Sequence, residues 1–125
     1  METRRRFLQL SAATAAVPVA LSGAQALDYP TRPVRIVVAF GPGGPTDVFA
    51  RLVAPRLAER FGRQFFVENV AGGGGNIGAM QVARAAPDGH TLLFTVSAFV
   101  SNVAFHGKAP YDPVQDFAPV AVPAG

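Results

Sequence analysis

The sequence predicts an α/β fold with a parallel β-α-β-α-β sheet, because two kinds of periodicity alternate along it. Short apolar runs rich in β-branched residues are typical of buried strands, and apolar residues spaced three and four apart are typical of helices. Strands are predicted over 34–40, 64–68 and 91–96, and helices over about 46–61 and 76–86. Strands that alternate with helices pair in parallel through right-handed crossovers.

The segment after the third strand carries weaker signals. A short helix is predicted around 99–106, followed by a proline-rich connection over 110–113. The apolar run 117–122 could start a fourth strand. Two helices cover a sheet of three or four parallel strands poorly, and such sheets need both faces covered. We therefore expect the sheet to be incomplete.

Residues 1–26 are predicted to be an export signal, which places the mature chain in the periplasm. They combine a basic start at Arg4–Arg6, an apolar segment over 11–21 and a small-x-small cleavage site at Ala24–Ala26. Thr3–Gln9 resembles a twin-arginine motif, although a signal for the general secretion route has a similar pattern. A membrane anchor is disfavoured because the apolar segment is shorter than the roughly 20 residues that span a bilayer.

Composition excludes several classes of function. The chain of 125 residues has a net charge of +3, but without residues 1–26 it would keep eight basic and seven acidic side chains. These charges are dispersed, so nucleic acid is a poor candidate partner. The sequence has no Cys, and His90 and His106 each stand alone. We expect both to be exposed or half-buried loop histidines, and we predict neither a metal nor a cofactor.

The turn after the first predicted strand is the first candidate site. Gly41–Gly44 separates the strand from a helix, and the N–H groups at such a helix start can hold an anion. Pro45 has no N–H, so its neighbours must supply any donors. Thr46 or Asp47 occupies the position expected for a helix N-cap or a first-turn acid, so capping explains these residues equally well.

A second glycine-rich turn, Gly72–Gly75, follows the second strand and opens a helix. Four consecutive glycines suit close approach of the backbone to a ligand, although a flexible surface loop is the alternative. Both turns must emerge at the same edge of a parallel sheet, where α/β proteins bind ligands. The hydroxyls of Thr95–Ser97 end the third strand at that edge, where they could equally cap the next helix. Such a rim of neutral donors suits a carboxylate.

Enzymatic function is disfavoured. Gly73-x-Gly75-x-x-Gly78 matches the dinucleotide-binding fingerprint, but no acidic residue follows near position 98 to hold a ribose. Neither turn is followed by the Lys of a phosphate-binding loop, and no nucleophile elbow surrounds Ser97 or Ser101. A dinucleotide-binding enzyme fragment therefore remains a minor alternative.

Five motifs in order along the chain resemble one family. They are YPTRPVRIVV at 29–38, PGGxxD at 42–47, GGGNIG at 73–78, APDGHTLL at 86–93 and PYDPxxDFxPV at 110–120. Together they are similar to the tripartite tricarboxylate transporter receptors, which are Bug-type extracytoplasmic solute-binding proteins. The resemblance implies a two-lobed, type II periplasmic-binding-protein fold that closes on a small carboxylated solute and presents it to a membrane permease.

Carrying the family's ligand contacts over to matching positions predicts nine binding residues. They are Phe40, Gly43, Gly44, Thr46, Asp47, Gly74, Gly75, Asn76 and Ser97. Asp47 would repel a bare carboxylate, so its expected role is to bind an ammonium or hydroxyl of the ligand, or to cap the helix.

Family members are far longer, so the resemblance assigns residues 27–125 to an incomplete first lobe without the second lobe. We expect a truncated or split receptor whose missing lobe a complementary chain could supply. The alternative is a structural or interaction fragment that pairs through its open sheet edge.

Overall fold

The structure, a computed structural model, describes residues 28–122. The predicted export signal lies outside this range. The described part is a three-stranded parallel sheet with helices in its connections, as the sequence predicts. The strands are β1 (Val34–Val38), β2 (Phe65–Asn69) and β3 (Thr91–Phe94). The helices are α1 (Pro45–Phe61), α2 (Asn76–Ala83) and α3 (Ala98–His106), with a 3-10 turn at Gly73–Gly75 before α2.

The strand order is β2-β1-β3, so β1 forms hydrogen bonds on both of its edges. Val34 is paired with Phe65 of β2, and Arg35 is paired with Thr91 of β3. The chain passes from β1 to β2 on one side and then crosses back over β1 to reach β3. This reversal of strand order lies between β1 and β3, and open α/β sheets bind ligands at such a point.

Alternate residues of β1 are buried on opposite faces of the sheet. Val34, Ile36 and Val38 form the core together with Phe65 and two small residues of α1, Ala50 and Ala54. Val37 and the following Ala39 are also buried, at 0% and 1% exposure. Continuous burial along a strand is typical of a parallel sheet that is covered on both faces.

Helix α2 approaches the sheet closely because residue 78 is glycine. A Cβ atom built on Gly78 would lie 2.8 Å from the carbonyl oxygen of Val70 and 3.0 Å from Cα of Ala39. Both neighbours are backbone atoms that cannot rotate away. Gly78 therefore sets the distance between α2 and the end of β1.

The amino-terminal edge of the sheet is closed around His90, which is buried at 6% exposure. The backbone N–H of Thr31 donates to His90 Nε2 (3.2 Å), and His90 Nδ1 lies 3.0 Å from the carbonyl oxygen of Asp88. The hydroxyl of Tyr29 donates to the carbonyl of Gly89 at 2.7 Å, which closes the turn over the histidine. The expectation of an exposed or half-buried His90 is therefore wrong, because this turn packs the ring against the entry segment.

Neither metal clusters nor membrane-spanning helices occur in the described part of the chain. Between residues 28 and 122, no group of three or more His, Cys, Asp or Glu side chains is placed to bind a metal. Over the same range, no helix has the length and apolar character needed to cross a bilayer.

The predicted fourth strand is wrong, since residues 117–122 form no strand. Val120 and Val122 are 84% and 85% exposed. Pro119 removes a backbone donor from the middle of the run, which disfavours a sheet ladder. Phe117 instead packs edge-to-face on Phe99, with ring centroids 4.9 Å apart.

The packing of α2 predicts that Gly78→Ala destabilises the fold. Alanine has the better helix propensity, but its methyl group would force α2 away from the sheet, so we expect unfolding to become easier by about 1–2 kcal/mol. Urea titration followed by circular dichroism measures the change. Gly41→Ala is the control, because a Cβ there meets nothing within 4 Å. Equal urea midpoints for wild type and Gly78→Ala would contradict this account of the packing.

Candidate ligand-binding site

A cleft of about 590 Å³ opens at the carboxyl-terminal edge of the sheet. It lies between the first turn of α1 and the segment after β3, which is where the strand order reverses. Its walls are formed by Pro45, Thr46, Phe49, Phe94, Thr95, Val96, Ser97, Ala121 and Val122. Two of the nine predicted binding residues, Thr46 and Ser97, therefore line the same cleft.

The first turn of α1, which lines this cleft, has backbone N–H groups without helical acceptors. Its first backbone hydrogen bond joins the N–H of Val48 to the carbonyl of Gly44 at 3.0 Å. The N–H groups of Thr46 and Asp47 precede this bond and have no acceptor within the helix. They also lie at the positive end of the helix dipole, which favours an anion.

The N-cap of α1 is Gly44, with Pro45 as the first helical residue and no side-chain cap. The prediction of Thr46 or Asp47 as the N-cap is therefore wrong, whereas Asp47 as the first-turn acid is confirmed. Proline suits the first helical position, because its φ angle is already helical and its missing N–H would have no partner there. This preference moves the helix start ahead of Thr46.

Ser97 contributes a hydroxyl from the opposite wall. It stands at the N-cap position of α3, but its side chain makes no capping hydrogen bond. Its backbone carbonyl accepts hydrogen bonds from the N–H and the hydroxyl of Ser101, at 3.1 and 3.2 Å. In the structure, the hydroxyl of Ser97 therefore does not cap α3.

Asp47 lies behind the cleft, where it is 4% exposed. Its carboxylate accepts hydrogen bonds from the backbone N–H of Gly43 (2.9 Å), from Nε of Arg51 (3.0 Å) and from Nδ2 of Asn69 (2.9 Å). The bond from Arg51, followed by those from Gly43 and Asn69, lowers the pKa of Asp47 to about 2. Asp47 thus holds the turn before α1 through Gly43, and it does not cap the helix.

The carboxylate of Asp47 belongs to a network that sequence reasoning missed. Arg51 Nη2 donates to Asn69 Oδ1 at 3.0 Å, and Asn69 Nδ2 also donates to the carbonyl of Phe40 at 3.1 Å. The Asp47–Arg51 pair has the i,i+4 spacing of helical ion pairs, which is a usable sequence signal. Asn69 offered only the weak signal of an amide side chain at the end of a strand.

The second glycine-rich turn packs against the first. A Cβ atom built on Gly75, whose φ is +96°, would lie 3.3 Å from Cζ of Phe40 and 3.5 Å from Cβ of Ala39. Gly75 is therefore needed both for its backbone conformation and for the close approach. Phe40 contributes its carbonyl to the network of Asp47 and its ring to this contact.

Helix α3 and the segment after it hold the far side of the second turn. Asn102 Nδ2 donates to the carbonyl of Gly74 at 2.7 Å and lies 3.4 Å from Asn76 Oδ1. The hydroxyl of Tyr111 lies 3.1 Å from the same oxygen of Asn76. Asn102 and Tyr111 are a second pair that sequence reasoning missed, because both are distant from the turn along the chain.

The nine predicted residues thus form three groups at one edge of the sheet. Thr46 and Ser97 line the cleft. Phe40, Gly43 and Asp47 join in the hydrogen-bonded first turn, next to the N-cap Gly44. Gly74, Gly75 and Asn76 form the second turn, which contacts Phe40 and α3. Ligand binding by these residues stays a prediction.

The lowered pKa of Asp47 predicts an acid-dependent loss of stability. The pKa of this carboxyl falls from 3.8 to about 2 on folding. Its ionised form therefore stabilises the native state at pH values above the pKa of the unfolded chain. That contribution disappears as the pH falls from about 4 to about 2. The free energy of unfolding of wild type should therefore exceed that of Asp47→Asn at neutral pH, and the gap should narrow across this interval. Urea titrations from pH 7 to pH 2 measure it, and a pH-independent gap would contradict the prediction.

The family resemblance is confirmed by comparison with known proteins. Residues 49–125 match the model of the tripartite tricarboxylate transporter family receptor. A UPF0065 protein in the tcbD-tcbE intergenic region of Pseudomonas sp. (strain P51) is 40% identical over 122 residues, which is 97% of this chain and 36% of that relative. This chain therefore spans about a third of the length of the curated relatives that it matches.

Solved structures agree in fold. MatC from Rhodopseudomonas palustris, solved with bound malate, is 43% identical with a TM-score of 0.68 over 74% of this chain and 32% of MatC. An R. palustris protein solved with adipate is 48% identical with a TM-score of 0.51 over 52% of this chain and 22% of its own. From its sequence motifs, its parallel sheet and these matches, the chain belongs to the tripartite tricarboxylate transporter receptor family.

Proposed function

We propose that this chain forms the carboxylate-binding wall of an extracytoplasmic solute-binding receptor. The observation that carries the proposal is the cleft between Thr46 and Ser97, at the point where the strand order reverses. Two family relatives were solved with malate and with adipate, and both ligands carry carboxylates. A receptor of this kind binds and releases its solute unchanged, so we do not propose an enzyme.

The chemistry of the cleft suits a short carboxylic acid. The N–H and hydroxyl of Thr46 and the hydroxyl of Ser97 are donors that a carboxylate would accept, and the dipole of α1 adds favourable charge. Phe49 and Phe94 supply an apolar surface for the carbon skeleton of the ligand. The lining residues within the described range include no Lys or Arg, which permits release of an anionic solute.

The remaining predicted residues divide into donors and supports. Gly43 and Gly44 shape the turn that leads to Thr46, and Gly74, Gly75 and Asn76 form the neighbouring turn. Asp47 is assigned to holding the first turn, because its carboxylate is buried and already accepts three kinds of donor. The ion pair with Arg51 also offsets the repulsion that Asp47 would otherwise exert on a carboxylate.

The partners follow from this role. The proposal includes delivery of the solute to a membrane permease of the tripartite type, and a complementary chain or segment that supplies the second wall of the cleft. A ligand enclosed between two walls is shielded from water more completely than one held on a single surface. Such a second wall would raise the affinity and determine much of the specificity.

Carboxylate binding predicts a ligand-dependent rise in melting temperature. The full chain is heated with malate, adipate or citrate at millimolar concentration and followed by circular dichroism. An acid at ten times its Kd adds about 1.4 kcal/mol to the stability, which raises Tm by about 6–11 °C in a domain of this size. Malamide, the uncharged diamide of malate, is the ligand control and should leave Tm unchanged.

Two single-site variants test the location of the site. Thr46→Val and Ser97→Ala each remove a hydroxyl from the cleft. Each should raise the Kd of the acid that shifts Tm roughly tenfold, which is the effect of one charge-assisted hydrogen bond. Thr91→Val is the matched control, because it also removes a hydroxyl, but from the start of β3, at the other end of the sheet from the cleft. A cooperative melt that no acid shifts would refute carboxylate binding by this chain alone.

The location proposed for the receptor depends on residues 1–26, which we assign to twin-arginine export. Replacing both Arg4 and Arg5 by Lys should leave the precursor in the cytoplasm, since this route requires the arginine pair. Arg6→Lys is the control and should be exported normally. Cell fractionation and immunoblotting measure the distribution, and normal export of the double variant would indicate the general secretion route instead.

A further inference from the structure

The side chain of Asn69 joins the end of β2 to both ends of the first turn. Its Nδ2 donates to the carbonyl of Phe40, where the turn begins, and to Oδ1 of Asp47, where α1 has started. Its Oδ1 accepts a hydrogen bond from Nη2 of Arg51. One carboxamide therefore connects three points that are 18 to 29 residues away from it along the chain.

The partners determine the orientation of this carboxamide. The carbonyl oxygen of Phe40 can only accept a hydrogen bond, and the guanidinium of Arg51 can only donate. The amide nitrogen must therefore face Phe40 and Asp47, and the amide oxygen must face Arg51. Both amide protons and the oxygen of Asn69 are thereby engaged.

Side-chain packing does little to hold the first turn in place. A Cβ atom built on Gly41 or Gly43 meets nothing within 4 Å, so side-chain packing could not fix these positions even if side chains were present. The N–H of Gly43 is bound by the carboxylate of Asp47 at 2.9 Å. Hydrogen bonds to Asp47, and through it to Asn69, thus determine the conformation of the turn.

From these contacts we propose that Asn69 is a positioning residue for solute binding, acting through Asp47. It keeps the turn and the first N–H groups of α1 in a binding-competent arrangement before the solute arrives. A turn that is already ordered loses less conformational entropy when it binds, and this raises affinity. The inference rests on the proposed function and adds a residue that would not touch the solute.

The test compares affinity in wild type and Asn69→Ala. The full chain is labelled with ¹⁵N and titrated with malate and with adipate, and the Gly43 and Gly44 amide signals report the Kd. We expect Asn69→Ala to raise the Kd about tenfold at a temperature where both proteins are folded. Glu68→Gln is the matched control on the same strand, because Glu68 pairs with Arg35 instead of the turn, and its Kd should not change.

A double-mutant cycle distinguishes positioning through Asp47 from an effect of Asn69 that is independent of Asp47. If Asn69 acts through Asp47, then Asp47→Ala combined with Asn69→Ala should bind no more than about twofold more weakly than Asp47→Ala alone. If the two substitutions acted independently, their fold-changes in Kd would instead multiply. Multiplied losses in the double variant would overturn the proposed route through Asp47.

Hydrogen exchange of the Gly43 amide provides a readout that needs no ligand. Loss of the Asn69 contact should speed exchange at Gly43 at least tenfold, while amides in the middle of β1 keep their rates. Unchanged exchange and an unchanged Kd in Asn69→Ala would overturn the inference. If wild type binds neither acid, the proposed function fails and positioning for solute binding fails with it, while the exchange rate still decides whether Asn69 holds the turn.

Discussion

The burial of β1 is the constraint on which the other features depend. This strand is hydrogen-bonded on both edges, and its alternate residues lie under α1 on one face and toward α2 on the other. Since β2 and β3 both run parallel to β1, all three strands end at the same edge of the sheet. The turns that follow them are therefore brought together by the strand, although they are more than 20 residues apart in the chain.

At that edge, the two glycine-rich turns have different tasks. The first turn leads into α1, whose first helical turn lines the cleft, and it is held by the carboxylate of Asp47 and the carboxamide of Asn69. The second turn packs its glycine backbone against Phe40 and is held by Asn102. The lack of side chains allows this close approach in the second turn, and in both turns polar side chains from other parts of the chain hold the glycine backbone by hydrogen bonds.

The charges are arranged in a way that suits an anionic solute. Asp47 directly follows Thr46, which lines the cleft. Its carboxylate pairs with Arg51 and accepts a hydrogen bond from the backbone of the first turn. The cleft itself is lined by hydroxyls, backbone donors and apolar side chains. An anion in the cleft would therefore meet the positive end of α1 without an opposing free carboxylate among the lining residues.

The sequence by itself determined the α/β class, the order of strands and helices, and the edge where the glycine-rich turns lie, because local periodicity and glycine content carry these features. Element ends were less well predicted: β1 stops at Val38 and α2 at Ala83, earlier than expected. Only the tertiary structure decided the strand order β2-β1-β3, the burial of His90, and the contacts of Asn69 and Tyr111. These features depend on contacts between residues that are far apart along the chain. The packing of the sheet and helices determines such contacts, and local sequence patterns do not encode them.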